Sequence, residues 1–241
     1  MRHSLGPAAL VFAGAIALSP TAEAVQNQIA YLGLRGSYVI TEDSQALSSA
    51  GPLDYDTDHD GGFGAGLFMG FVLDENFRFE VEGMYRNTNF NEATVVRDDN
   101  IPPYTAPGTA YPIGGDVQSY AAMVNLYYDL HVLDGPVLPW IGAGIGGVFI
   151  DYSMVGSVPD PNFPPPPVVM YPLFDAGSTS WVFGYQFMAG VTFPLSDGLS
   201  MAVGYRFFQT QDFEYSNPAG DEFETDLTQH NIDVSLQFHL H

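Results

Sequence analysis

Apolar and polar positions alternate with a period of two along most of this chain, and eight stretches carry the pattern clearly. Such alternation predicts β-strands, because successive side chains point to opposite faces of a sheet. In Ala30–Ile40, Leu32, Leu34, Gly36, Tyr38 and Ile40 share one face, with Tyr31, Gly33, Arg35 and Ser37 on the other. Gly62–Leu73 sets Phe63, Ala65, Leu67, Met69 and Phe71 against Gly64, Gly66, Phe68 and Gly70. In the third stretch Phe77, Phe79, Val81, Gly83 and Tyr85 alternate with Arg78, Glu80, Glu82, Met84 and Arg86. The fourth, Ser119–Leu130, places Tyr120, Ala122, Val124, Leu126 and Tyr128 opposite Ala121, Met123, Asn125, Tyr127 and Asp129. Trp140–Asp151, Trp181–Phe193, Leu199–Phe208 and Asn231–Leu240 complete the set. The last two put Arg206 and Asp233 on the more polar face.

Eight segments of about ten residues are what tilted strands need to cross a bilayer. The connections alternate as well. Short links at 74–76, 131–136 and 194–198 follow the even strands, and long ones at 41–61, 91–116, 153–179 and 210–227 follow the odd strands. Short periplasmic turns and long extracellular loops are the habit of outer-membrane barrels. The fold expected is therefore all-β: an eight-stranded antiparallel up-and-down transmembrane β-barrel with both ends of the chain on the periplasmic side. A soluble barrel or sandwich is disfavoured, because large aromatics turned inward on eight strands would overfill so narrow a bore. The proline run Pro164–Pro167 is expected to be stiff and extended rather than part of a sheet.

The N-terminus assigns a compartment. A polar start at Arg2 and His3, an apolar run from Leu5 to Leu18, a break at Ser19-Pro20-Thr21 and then Ala22-Glu23-Ala24 form the layout of a secretory signal peptide. Residues 1–24 are read as that leader and 25–241 as the barrel domain. The apolar run is shorter than the roughly 20 residues of a spanning helix. No later window offers one either, so a closed barrel is the remaining way to satisfy the backbone in lipid. Cysteine is absent, so disulfides contribute nothing.

Charge changes the picture inside the barrel. The chain has 6 basic and 28 acidic residues, and every base is arginine. Such a balance repels phosphate and excludes nucleic-acid binding through a basic patch. On the strand assignment, Arg35, Arg78, Arg86 and Arg206 face inward with Glu80, Glu82, Asp129 and Asp233, while Arg97 lies in a loop. Four cations against four anions predict an ion-paired plug, since buried charges persist only when paired. A slip of the third strand by one residue would turn Arg78, Glu80, Glu82 and Arg86 to lipid together. At about 2–4 kcal/mol per mid-bilayer arginine, that rivals a domain's whole stability of about 5–15 kcal/mol. The register is fixed by this cost.

Other chemistry is thinner. Asp54, Asp56, Asp58 and Asp60 crowd the first long loop, and Asp56 opens an Asp-x-Asp-x-Asp-Gly calcium-loop pattern. The twelfth position, which should be glutamate, is Leu67. A solvated acidic loop is the plainer reading, with weak divalent-cation binding the sharper one. His59 near these acids and His230 at the outer end of the last strand are the candidates for a rim enzyme of the lipid A palmitoyltransferase type. No nucleophile stands beside either in sequence, and a non-enzyme without a cofactor is the expectation. Trp140, Trp181, Tyr127 and Tyr128 are read as membrane-interface anchors.

The stretches YLGLRGSY (31–38), PWIGAGIGG (139–147), FGYQFMAGV (183–191) and LSDGLSMAVGYRF (195–207) resemble the OmpA-like, porin-family outer-membrane β-barrel proteins of Gram-negative bacteria. That resemblance implies an outer-membrane location and insertion by the barrel-assembly machinery. The machinery reads a last amphipathic strand ending in an aromatic. Val234, Leu236 and Phe238 fit, although the chain runs on to His241. It also implies contact with lipopolysaccharide and a structural, surface-antigen or adhesion-type role through the acidic loops. The alternatives are a small porin-like channel or solute-binding barrel and, behind it, the rim enzyme.

Overall fold

The computed structural model describes residues 30–48, 53–98, 108, 110–131, 135–159, 170–216 and 222–240. The expected leader and Pro164–Pro167 lie outside these. Twelve strands follow in chain order: β1 (Ala30–Thr41), β2 (Ser44–Ser48), β3 (Leu53–His59), β4 (Gly62–Val72), β5 (Phe77–Asp98) and β6 (Ala110–Asp129). Then come β7 (Leu138–Pro159), β8 (Met170–Ser196), β9 (Leu199–Thr210), β10 (Phe213–Ser216), β11 (Glu222–Thr225) and β12 (Thr228–Leu240). Eight of them close a ring in the order β1, β4, β5, β6, β7, β8, β9, β12. Every neighbour is antiparallel, and β12 returns to β1 with Leu32 opposite Phe238 and Tyr38 opposite Ile232. Closure leaves no sheet edge unpaired in lipid, where an orphan backbone group has no water to turn to. Among the described residues no helix is long and apolar enough to cross a membrane; the strands do the crossing.

The strand faces fall as the alternation requires. Leu34, Tyr38, Leu67, Val124, Ile141 and Phe187 are exposed on the outer wall, whereas Tyr31, Arg35, Phe68, Glu80, Glu82 and Arg206 are buried within. An aromatic chain marks one membrane boundary, running Phe63, Tyr85, Tyr120, Phe149, Trp181 from strand to strand at centroid spacings of 5.1–6.2 Å. Phe77 and Tyr128, 5.1 Å apart, lie near the other. Phe77 and Tyr85 are eight residues apart on a tilted strand, a height of about 20 Å, close to the apolar band of an outer-membrane barrel.

Here the structure departs from the expected long loops. β5 continues past Tyr85 to Asp98, β7 reaches Pro159, and their hairpin partners β6 and β8 begin beyond the girdle. β3 pairs with β5, β2 with β3, β11 with β2 and β10 with β11. Ser178 of β8 donates to the Glu214 carbonyl of β10 at 3.5 Å. The four long strands are thus shared, and four short strands continue the wall above β4, β1, β12 and β9. The described residues of regions 41–61, 91–116, 153–179 and 210–227 prolong the barrel by strand pairing.

The reason lies in an inversion of polarity at the girdle. Below it, β5 turns Phe77, Phe79 and Val81 out and Arg78, Glu80 and Glu82 in. Above it, Asn89 and Asn91 point out, while Phe90 and, after a bulge, Ala93 are buried. On β7, Ile141 and Ile145 face out below, and Asp151 and Ser153 do so above, with Ile150, Tyr152 and Met154 buried. These join Ile113, Val117, Phe208, Phe213, Phe223 and Leu227 in one apolar cluster that fills the upper bore. Outside the bilayer the wall meets water, so an apolar inside and a polar outside become the stable arrangement.

Candidate functional site

The lower bore is built on β5, whose even-numbered positions from Arg78 to Phe90 point inward because the side-chain period is two. Arg78, Glu80 and Glu82 therefore rise in a column. Asp129 enters from β6, Arg35 from β1, Asp233 from β12 and Arg206 from β9. Arg78 grips Asp129 with two nitrogens, Nε to Oδ2 at 2.7 Å and Nη2 to Oδ1 at 2.8 Å. Its Nη1 donates to the Tyr31 hydroxyl at 2.9 Å, and that hydroxyl donates to Glu80 at 2.7 Å. Arg35 contacts Glu82 and lies 3.4 Å from Glu80 and 3.8 Å from Asp233.

Arg206 crosses to Glu82 with Nη1 at 2.6 Å and Nη2 at 3.2 Å, and to Asp233 with Nε at 2.9 Å. Its Nη1 also donates to Gln186 at 2.7 Å, and Gln186 donates to Asn125 at 2.6 Å. Ser37 donates to Asp233 at 2.5 Å. Two cations are also stacked: Arg35 lies 4.5 Å from the Phe68 centroid and Arg78 5.1 Å from that of Tyr127. Removed from water, ion pairs hold only when geometry is good and the remaining lone pairs are met. The ion pairs alone tie five of the eight ring strands together across the bore, and the Arg206–Gln186 bond brings in β8 as a sixth.

One of the eight expected partners is not in it. Arg86 is buried at 0% exposure, and none of its three side-chain nitrogens has a hydrogen-bond partner. It sits 4.2 Å from the Phe208 centroid, beneath the apolar cluster. Three arginines therefore share four carboxylates, where pairing of four with four was expected. Arg86 lies four residues above Glu82 on the same strand, at the polarity inversion, and the acids below it are already engaged.

Two expected interface anchors also face the other way. Tyr127 and Trp140 are buried in the bore, edge to face at 5.3 Å, whereas Trp181 at 75% exposure and Tyr128 do face outward. Trp140 fits inside because Gly190 and Gly204, on β8 and β9, leave its indole room; a Cβ at either would collide with the ring. Tyr31, Gln186 and Asn125 had no assigned role in the sequence reading. Their inward phase was visible, but the partner each meets belongs to another strand.

At the outer end, Asp56 and Asp58 stand on β3, opposite Thr94 and Glu92 of β5, with Asp60 just beyond. The Asp-x-Asp pattern thus lies on an extended strand instead of wrapping around a centre. Burial and the nearby Asp43 and Asp56 raise the Asp58 carboxyl above its usual pKa. The side chains of Asp54 and Arg97 lie outside the described residues, although the Arg97 backbone belongs to β5. Among the described residues no three acids or histidines converge as a metal site. His59 packs against Phe90 at 4.8 Å, with Nε2 3.4 Å from the Ser44 hydroxyl, and burial lowers it to about 4. His230 lies between the Tyr205 hydroxyl, 2.5 Å from Nδ1, and Glu42, which contacts Nε2. It ties the end of β1 to β12 and β9.

The outer membrane protein beta-barrel domain model matches residues 8–239. The chain belongs to that family. An uncharacterised protein of Brucella suis is 27% identical over 158 residues, covering 62% of this chain and 52% of its own length. A Gluconacetobacter diazotrophicus protein described as an outer membrane protein is 27% identical over 157 residues, covering 61% of this chain and 35% of its own. The chain thus spans about half or less of these relatives. Among solved structures, the outer membrane protein OprG from Pseudomonas aeruginosa superposes with a TM-score of 0.50 at 12% identity. That match covers 88% of this chain and 98% of OprG. The likeness shows the shared fold of this outer-membrane barrel.

Proposed function

We propose that this outer-membrane barrel is a non-conducting, non-catalytic surface protein that acts through the part of its wall standing above the bilayer. One observation carries the reading: the bore is filled twice over. Arg35, Arg78 and Arg206 bridge it with Glu80, Glu82, Asp129 and Asp233 below, and the apolar cluster from Val117 to Phe223 fills it above. A narrow eight-stranded bore has room for side chains or for a path, not both. The projecting hairpins then form the contact surface, with outward Asp151, Asp212, Glu214 and Glu224 leaving it strongly acidic.

The partners of this reading are outer-membrane lipid and lipopolysaccharide around the wall, and the barrel-assembly machinery during insertion. An extracellular ligand of basic or cation-bridged character would meet regions 41–61, 91–116, 153–179 and 210–227. In planar bilayers the pure protein should give no stepwise conductance. Defined channel steps from the wild type would overturn the plugged reading and favour a solute channel.

A further inference from the structure

We propose that Arg86 is the anchor of a small-anion site inside the bore, occupied by a monovalent anion of halide or carboxylate type. The guanidinium is fully buried and its three nitrogens meet no hydrogen-bond acceptor. The Phe208 face at 4.2 Å satisfies one side of the cation without accepting its N–H bonds in line. Leaving a desolvated guanidinium without acceptors is costly, and folded proteins avoid it. The carboxylates that could have answered it are committed: both Glu82 oxygens receive Arg206, and Asp233 receives Arg206 and Ser37.

Two hydroxyls beside Arg86 are equally unspent. Ser119 is its register partner on β6, and Thr88 is the next inward position on β5. The Ser119 Oγ and the Thr88 Oγ1 are both buried without a hydrogen-bond partner. A guanidinium and two hydroxyl groups together form a donor-rich site whose missing component is an acceptor with negative charge. A water molecule would satisfy some of these donors, whereas an anion accepts from the guanidinium and a hydroxyl together with a charge-assisted bond. The surrounding Val117, Ile150 and Phe208 are apolar, and Asp233, the carboxylate whose charge reaches Arg86, makes no hydrogen bond to it.

The test uses the full folded protein in detergent micelles, with the unfolding midpoint read from the fraction of the faster-migrating unboiled form on gels. Sodium bromide or sodium formate replaces sodium gluconate at constant ionic strength. A ligand that binds only the folded state stabilises it by mass action, so the wild-type midpoint should rise by a few degrees with bromide and with formate. Arg86→Met should abolish that rise, and Ser119→Ala should reduce it. An absent rise in wild type, or an undiminished one in Arg86→Met, overturns the proposal. If Arg86→Met does not fold, bromide-soaked crystals of the wild type decide. An anomalous peak beside the Arg86 guanidinium supports the site, and its absence there overturns it.

Discussion

The lower and upper halves of the bore are solutions to opposite problems. In the bilayer the outer wall already meets an apolar medium, so burying another apolar side chain inside gains little over leaving it in lipid. Cohesion there comes from directional contacts, and Arg35, Arg78 and Arg206 supply them across five strands. Above the girdle the wall meets water, and burial of Phe90, Ile150, Met154, Phe213 and Phe223 recovers the ordinary hydrophobic driving force. The same eight-fold ring is therefore held by geometry in one half and by transfer energy in the other. The two halves should respond differently to change.

The largest expected effect is in the lower half. Arg206→Met removes the bridge from β9 to β5 and β12 and leaves Glu82 and Asp233 short of a partner. Breaking one side of a buried pair costs about 3–5 kcal/mol, to be read as a fall in the urea midpoint of the barrel in lipid vesicles. The apolar cluster above still fills the bore, so the variant should remain non-conducting. A variant as stable as wild type would mean that the network contributes little to cohesion.

A conservative exchange in each half sharpens the contrast. Arg78→Lys keeps the charge but loses the two-point grip on Asp129 and the reach to Tyr31. Hydrogen bonds to charged groups are worth about 1.5–3 kcal/mol each, and a loss in that range is expected. Met154→Leu in the upper cluster keeps volume and polarity, and such exchanges usually cost under about 1.5 kcal/mol. Equal costs at the two positions would erase the distinction drawn between them.

The sequence carried the lower half further than the upper. Strict alternation through 77–86 placed Arg78, Glu80, Glu82 and Arg86 inside, and the bilayer cost of exposing them left one register. Pairing was not legible, because the barrel's shear decides which level of β9 or β12 faces which level of β5. Hence Arg86 was expected in the network and stands outside it. The upper half was read as loop because its alternation is inverted and interrupted by a bulge between Asn89 and Glu92. Asn89, Asn91, Asp151 and Ser153 facing out signal a strand only once the solvent outside is known to have changed. Trp140 was misplaced for a related reason: its room comes from Gly190 and Gly204, fifty and more residues away in the chain.

The smallest expected effect isolates the flap of the upper wall formed by β2 and β3. His59 is held neutral by burial against Phe90, which lowers its pKa from the usual 6.5 to about 4. The unfolded flap therefore binds more protons than the folded one between these two values, and stability rises with pH across that window. Above pH 6.5 the contribution is fully present; as pH falls toward 4 it is lost. Hydrogen exchange at the β2–β3 amides, corrected for intrinsic rates, should show protection dropping between pH 7 and pH 5, while β4 and β9 stay protected. His59→Phe keeps a ring against Phe90 and removes the titration, so the drop should flatten in that variant. An unchanged drop in that variant would overturn the assignment to His59, whereas protection that rises as pH falls would assign the change to the Asp58 carboxyl, which burial and the neighbouring Asp43 and Asp56 raise. That outcome carries the opposite sign, since a group with a raised folded pKa is favoured by acid. The direction of the change therefore separates the histidine from the acids.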